Sequence, residues 1–546
     1  MTGLSQILKE RISSGLRRKS VTTCSRWAEN YRYMPSKDGP TLWSFKNFPW
    51  LREMHDADGE LLIGQKSAQV GYTENCMNNC YYNMDVHGHS ALYILPSEGD
   101  ASDFSTSRFD PALEISPHLQ AMFSNVKNIG HKRAGGSSLF VRGSRSKSKL
   151  KSLPVARIYG DEVDEMVIEN ITLAFERMSG QSDRQAWLIS TPTISGKGIN
   201  KYFEASTMEH FFFNCPCCNK MTELIFPECL VITGEDPNDP KLMDSYIVCK
   251  ECNGTIQHAA KPDIFAKGQW VPSHSNRLSR GFHINQLYSC LLDPWKIGQL
   301  WLQAQTNPTD EQEFYNSKMG VTHAVKGAQL TEADVEECFG GYTKKKASAG
   351  KFTTMGVDIG TWIHYEIDEF IMSDAQATSD INLITNCRVL TEGKVKNFEE
   401  LDQLMDDYNI VSCIIDRHPE TRKAIEFANR YQGRVLLCVY GRGLNGKNIN
   451  INEDEYKVTV DRTSWLDVSL GRYRAGTIKL PIDVSMEYKS HMTAPVRVYK
   501  RDQDGNPVGY YDNTKDDHFA HARNYAEIAL QVSASMGASR NIASPI

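Results

Sequence analysis

Lys66-Ser67-Ala68-Gln69-Val70-Gly71-Tyr72-Thr73 follows a short apolar run, Leu61-Leu62-Ile63, and precedes a stretch of helical spacing from Glu74. A common phosphate loop reads G-x-x-x-x-G-K-[ST], with backbone N–H groups and a helix N-terminus holding the phosphates. Here Gly71 and Thr73 are in register, Tyr72 stands at the lysine position and Lys66 at the first glycine. A lysine at the start of such a loop can fold over it to reach the β- and γ-phosphates of ATP, and Thr73 can hold Mg²⁺. Alone, the segment could equally be a strand, a turn and a helix with an incidental lysine. Two later segments favour the nucleotide. The apolar run Val155-Ala156-Arg157-Ile158-Tyr159 ends in Gly160-Asp161-Glu162, where Asp161 can hold Mg²⁺ through water and Glu162 can orient and deprotonate the attacking water. Trp187-Leu188-Ile189 runs into Ser190-Thr191-Pro192-Thr193, hydroxyls suited to sensing the γ-phosphate. Of the basic residues Arg142, Arg145, Lys147, Lys149 and Lys151, Arg142 is the candidate arginine finger; the plain alternative is a solvated loop.

Of 14 cysteines, four form two C-x-x-C pairs, Cys215/Cys218 and Cys249/Cys252, with 30 residues between Cys218 and Cys249. Each pair places two thiolates on one side of a tight turn, and two pairs complete a tetrahedral Cys₄ Zn²⁺ site. With all four positions filled by protein, that zinc is expected to be structural. Cys217 is a spare.

A third group is acidic. Thr354-Met355-Gly356-Val357-Asp358 and Ser412-Cys413-Ile414-Ile415-Asp416 are apolar runs that end in an aspartate. Asp516-Asp517-His518 opens a late helix, and Asp517 shares a face with His521, so it is preferred to Asp516 as a ligand. Two strand-end carboxylates and one from a late helix match the order of an RNase H-like nuclease. Such folds hold two Mg²⁺ or Mn²⁺ ions about 4 Å apart around a phosphodiester.

Positioning these groups requires short buried strands alternating with helices, an α/β class. The expected divisions are an N-terminal helical segment at 1–55, an ATPase domain at 56–340 with a zinc ribbon at about 210–260, a linker at 341–351, a nuclease domain at 352–532 and a disordered tail at 533–546. At 546 residues, 40% hydrophobic and 23% charged, the chain can bury several cores. No run approaches the roughly 20 apolar residues of a membrane span. The first 20 residues carry Lys9, Arg11, Arg17, Arg18 and Lys19 without an apolar core, so no secretory signal is expected and the protein reads as cytosolic. The net charge of −6 means that a DNA-binding surface must be local.

On the loop at 66–73, Asp161-Glu162, Ser190-Thr191-Pro192, the cysteine pairs, Gly356-Val357-Asp358 and the terminal helix, most of the chain resembles the large terminase subunits of tailed phages, in the lambda-like branch. The resemblance implies a RecA/ASCE-like P-loop ATPase that translocates double-stranded DNA into a procapsid, and a nuclease that cuts concatemers. It implies a small terminase subunit and a portal protein as partners, a homo-oligomeric ring on the portal, no membrane, and action in the host cytoplasm without a place in the mature virion. It also implies an aromatic residue upstream of the loop that stacks on adenine, for which Trp50 is the candidate. Two features depart from the family: His521 stands where a second acid is common, and no acid follows Asp358 until Glu366. Any long portal-binding tail is expected to be missing or reduced to the last dozen or so residues. Two other readings compete, a helicase-nuclease of repair or phage defence, and a zinc-ribbon DNA-binding protein carrying an inactive ATPase fold.

Overall fold

The computed structural model describes residues 23–123, 126–151, 153–345, 352–372, 381–382, 385–441, 444, 449–452, 454–501 and 506–535. It forms two compact units, Met1–His323 and Ala324–Ile546.

In the first unit, eleven strands among the described residues make one sheet. Its centre runs Arg280–Ile284, Leu61–Lys66, Gln185–Ser190, Arg157–Asp161, Ala91–Leu95 and Ser137–Gly143, all mutually parallel. Most residues of the middle four strands are buried, as expected where helices cover both faces of a parallel sheet. The Leu61 strand is separated from the next parallel strand in the chain, Ala91–Leu95, by two later strands. Such crossovers open a crevice beyond the carboxyl ends of the strands, where ligands bind in open α/β sheets. Gly64 allows the following helix, Tyr72–Tyr82, to sit directly on the sheet: a Cβ there would lie 2.6 Å from the Tyr72 ring and 2.9 Å from Ile189. A separate three-stranded sheet, Leu230–Val231, Tyr246–Val248 and Thr255–Ile256, lies in the cysteine-bearing segment.

The second unit has an eight-stranded sheet among the described residues. Phe352–Ile359, Ile363–Met372 and Thr385–Val395 are an antiparallel meander, and Ser412–Asp416, Val435–Tyr440 and Lys457–Val460 extend the other side in parallel. The helix His518–Ser535 lies across the first strand. Gly356 permits this approach, since a Cβ there would stand 1.9 Å from the Ala522 carbonyl oxygen and 2.3 Å from the Ala526 nitrogen. Under that helix, Arg523 pairs with Glu366, Asp368 and Glu527, all of them buried, and Arg472 holds Glu527 from the other side at 2.7 Å.

The chain passes between units at His323–Ala324, ahead of the segment expected as linker. Gly340 N–H bonds Leu480 O at 2.8 Å and Lys345 N–H bonds Leu390 O at 3.1 Å, so Gly340–Lys345 belongs to the second unit. Residues 346–351 lie outside the described residues, as do 1–22 and 536–546, while Ser533–Ser535 finish the last helix.

Candidate functional site

Lys66, Asp161 and Ser190 end three neighbouring parallel strands, which explains how residues so far apart in sequence converge. Lys66 Nζ lies 2.8 Å from Glu162 Oε1. Burial alone would lower the lysine pKa, but the charges of Glu162 and Asp161 outweigh it and raise it. Asp161 is 2% exposed, and its Oδ2 accepts the Tyr93 hydroxyl at 2.8 Å. Its Oδ1 is buried without a hydrogen-bond partner. Burial, then the Glu162 charge, pushes the Asp161 pKa to about 6 against the pull of Lys66, Tyr93 and Thr73. An orphaned, buried carboxylate oxygen beside Thr73 fits the Mg²⁺ of a bound nucleotide.

Glu162 has φ +65°, a left-handed conformation rare for a residue with a side chain, and its N–H bonds Ile189 O at 2.9 Å. The turn lifts its carboxylate off the strand end. Ser190 Oγ lies 3.4 Å from Glu162 Oε2 and accepts the Asp164 N–H at 3.2 Å. Asp164, which sequence reasoning missed, accepts N–H groups from Thr193 at 2.8 Å and Ile199 at 2.7 Å. It thereby ties the acidic strand end to the segment that follows Ser190-Thr191. Its position two residues beyond Glu162 was the available signal.

The loop backbone turns through Gln69 at φ +58° and Gly71 at φ +87°. Ser67 N–H is committed to Ile284 O and Ala68 N–H to Ser317 O, so backbone anion binding falls to the later part of the loop. Ser67 itself is fully buried with an unpartnered hydroxyl.

Three expected contacts have a different geometry. The Tyr72 side chain is packed under the sheet at 1% exposure and does not face the crevice, because its ring fills the space left by Gly64. Trp50 is 1% exposed; its indole N–H bonds Val70 O at 3.0 Å and its carbonyl accepts from Trp270 at 2.9 Å. It braces the loop from behind, and no face is left for adenine. Arg142 donates to Val141 O at 2.9 Å and to Gly130 O, in a cleft with Glu98 and Lys149, so its guanidinium serves local carbonyls.

The sulfur atoms of Cys215, Cys218, Cys249 and Cys252 all lie within 4.8 Å of one another. The two turns are near copies. Cys217 N–H points to Cys215 Sγ at 3.3 Å and Glu251 N–H to Cys249 Sγ at 3.4 Å, and Asn219 and Asn253 each take positive φ. Four thiols held this way, with N–H groups aimed at sulfur, fit a tetrahedral thiophilic ion. Cys217 is exposed and outside the group.

In the second unit, Asp358 and Asp416 end adjacent parallel strands, with Val357 opposite Ile415. Burial, offset in part by the His418 N–H, and the charge of Asp358 raise the Asp416 pKa. Asp517 is buried and Asp516 exposed. Burial would raise the Asp517 pKa, but His521 at 3.3 Å and Arg462 at 3.6 Å outweigh it and lower it. Asp358, Asp416 and Asp517 do not form a single tight ligand group among the described residues. The three that do, within 4.8 Å, are Asp358, His364 and His518. His518 Nδ1 lies 2.8 Å from Asp358 Oδ2, and this hydrogen bond raises the His518 pKa. The missed signal for His364 is the hairpin, which sets it directly opposite Asp358.

No helix of the described residues is long and apolar enough to cross a membrane. The fold is that of a large terminase: the crystal structure of the HK97 bacteriophage large terminase matches with TM-score 0.50 at 10% identity, covering 93% of this chain and 98% of that one. Two family models identify the lineage, the ATPase domain of phage terminase large subunit gpA over residues 38–270 and the gpA endonuclease domain over 279–513. The chain belongs to the terminase large subunit family, in its lambda-like gpA branch. It is 22% identical over 381 residues to the terminase large subunit of Enterobacteria phage P21 and 23% identical over 370 residues to that of Escherichia phage lambda. Those alignments take in 62% and 60% of this chain and 58% and 57% of the relatives' own lengths.

Proposed function

We propose that this chain hydrolyses ATP to drive double-stranded viral DNA into a procapsid and cuts concatemeric DNA with a two-ion endonuclease. One observation carries the motor half: Lys66, Asp161, Glu162 and Ser190 gather at the ends of three adjacent parallel strands beside a glycine turn and a helix N-terminus. This supports a RecA/ASCE-like P-loop ATPase. Lys66 exchanges Glu162 for the β- and γ-phosphates when ATP enters, and Thr73 and Asp161 would hold the Mg²⁺. Bound Mg²⁺ supplies charge neutralisation at the phosphate oxygens. Glu162, released from Lys66, orients the attacking water and accepts its proton. Ser190 and Thr191 report the state of that carboxylate to the downstream segment through Asp164.

The adjacent strand-end acids Asp358 and Asp416, with Asp517 at the helix start, support an RNase H-like nuclease that holds Mg²⁺ or Mn²⁺. Bound divalent ions would activate the attacking water and neutralise charge on the leaving oxygen. Four converging cysteines support a structural zinc ribbon. Family membership supports a small terminase subunit and a portal protein as partners, a ring on the portal, and action in the host cytoplasm rather than in the finished virion. The helicase-nuclease reading is not favoured, because both domain matches are to terminase. An inactive zinc-ribbon binder would not need the Lys66–Glu162–Asp161 arrangement.

The test is a pair of assays on the full chain with DNA present. Glu162→Gln should abolish ATP turnover and leave plasmid cutting in Mn²⁺, and Asp358→Ala should do the reverse. Absence of both activities from the wild type under assembly-competent conditions would refute the proposal.

A further inference from the structure

We propose that Asp358, His364 and His518 form a two-imidazole, one-carboxylate cation subsite, so that the nuclease centre selects a divalent transition-metal ion over Mg²⁺. This rests on the nuclease reading above and specifies its metal.

The three ligand atoms lie within 4.8 Å of one another. Ligands about 2.1 Å from a common ion sit roughly 3–4 Å apart, so small adjustments close this set around one cation. The elements fix it rigidly. Asp358 and His364 are direct cross-strand partners on one face of a hairpin, and His518 opens the helix seated on Gly356. The rings of His364 and His518 stack with centroids 4.7 Å apart and planes 10° from parallel.

A plainer account treats His518–Asp358 as an ordinary hydrogen-bonded pair at the helix start. That account leaves His364 unexplained. Its side chain is nine-tenths buried or more, and neither ring nitrogen has a hydrogen-bond partner. The nearest carboxylate, Glu487 Oε1, is 3.6 Å from Nε2, beyond hydrogen-bond reach. A buried imidazole without partners is costly unless something else satisfies it. A cation bound by one nitrogen, with Glu487 behind the ring to orient it, would do so. His491 lies near both rings, tilted at 5.6 Å from His364 and edge-on at 5.7 Å from His518, but its Nδ1 takes the Phe519 N–H at 3.4 Å and it is outside the ligand group.

Ligand chemistry then chooses the ion. Mg²⁺ prefers oxygen ligands and retains its water, whereas imidazole suits later divalent ions. Two imidazoles and a carboxylate occupy three positions and leave the others open to water and phosphate oxygen. Fe²⁺, Co²⁺ or Zn²⁺ would satisfy both halves of the set, and Mn²⁺, the weakest binder of the series, serves as its paramagnetic probe.

The experiment uses the full chain with zinc in its cysteine site, without nucleotide, and Mn²⁺ as the probe. Electron spin-echo modulation of bound Mn²⁺ should show ¹⁴N coupling that Mg²⁺ in large excess does not remove. His364→Ala and His518→Ala should each weaken or abolish the coupling, and His491→Ala should retain it. Wild type without ¹⁴N coupling, coupling unchanged in both ligand variants, or coupling lost only with His491→Ala would overturn the inference. Should His364→Ala fail to fold, the wild-type and His518→Ala spectra decide. DNA cutting without ¹⁴N coupling would leave the nuclease reading standing and remove this subsite. Coupling without cutting would do the opposite.

Discussion

Gly356→Ala is the smallest change that separates the nuclease geometry from its chemistry. The added methyl would lie 1.9 Å from the Ala522 carbonyl oxygen, where ordinary contact begins at 3.4 Å. The obstacle is helix backbone, also met at Ala526 N and Tyr525 C, so no side-chain rotation relieves it. The helix must retreat by about 1.5 Å, the shortfall in that contact. Overpacking of this kind costs about 1–3 kcal/mol, and a backbone clash belongs at the upper end. At about 2–4 °C per kcal/mol for a unit of this size, the unfolding of the second unit should fall by roughly 6–12 °C. The same retreat carries Asp517 and His518 away from Asp358 and Asp416. A displacement near 1 Å at a catalytic centre costs about 10²-fold. Calorimetry should therefore show a lowered second transition, and plasmid cutting in Mn²⁺ should fall about 100-fold or more while ATP turnover persists. A variant with unchanged Tm and unchanged cutting would refute the claim that this helix positions the site.

Arg523→Met strands Glu366, Asp368 and Glu527 without their central cation. Breaking a buried ion network in this way costs about 3–5 kcal/mol, to be read as loss of stability in denaturant. Cys249→Ser should release the zinc and open residues 215–256 to limited proteolysis, with zinc content by atomic absorption as the check. Acid should destabilise the first unit. Burial foremost holds His55 and His283 near pKa 3 against an ordinary 6.5. The unfolded chain therefore takes up protons that the folded one refuses, and stability is lost as pH falls from 6.5 towards 3. Each histidine contributes a loss of about 2 kcal/mol between pH 7 and 5. Asp161 and Asp164, with pKa raised to about 6 chiefly by burial, offset part of it. His283→Asn should remove about 2 kcal/mol of the pH-dependent loss, read from the denaturant midpoint.

Much of both sites was legible because strand ends announce themselves: an apolar run that stops at Lys66, Asp161, Ser190, Asp358 or Asp416 fixes where its last side chain emerges. Paired C-x-x-C spacing did the same for the cysteines. What the sequence hid was orientation. Tyr72 and Trp50 sit at the right places in the chain, yet Gly64 and Val70 O draw them inward, and only packing decides that. Strand limits also moved: the run from Val155 is strand only at Arg157–Asp161, and Val155-Ala156 lead into it. A search for acids passed over His364 because its partnership with Asp358 depends on hairpin register, and over Asp164 because a third acid in Asp161-Glu162-Val163-Asp164 looks like solvated surface. The basic stretch at Gly340–Lys345 carries the composition of a linker, but its backbone bonds to Leu480 and Leu390 hold it in the second unit.

The account depends most on the cluster at the strand ends in the first unit. A structure of the chain with Mg²⁺ and a non-hydrolysable ATP analogue tests it directly. The account predicts the triphosphate along residues 69–73, Lys66 Nζ moved from Glu162 to the β- and γ-phosphate oxygens, and the cation beside Thr73 and Asp161 Oδ1. A nucleotide bound elsewhere, with the 2.8 Å Lys66–Glu162 pair intact, would contradict it.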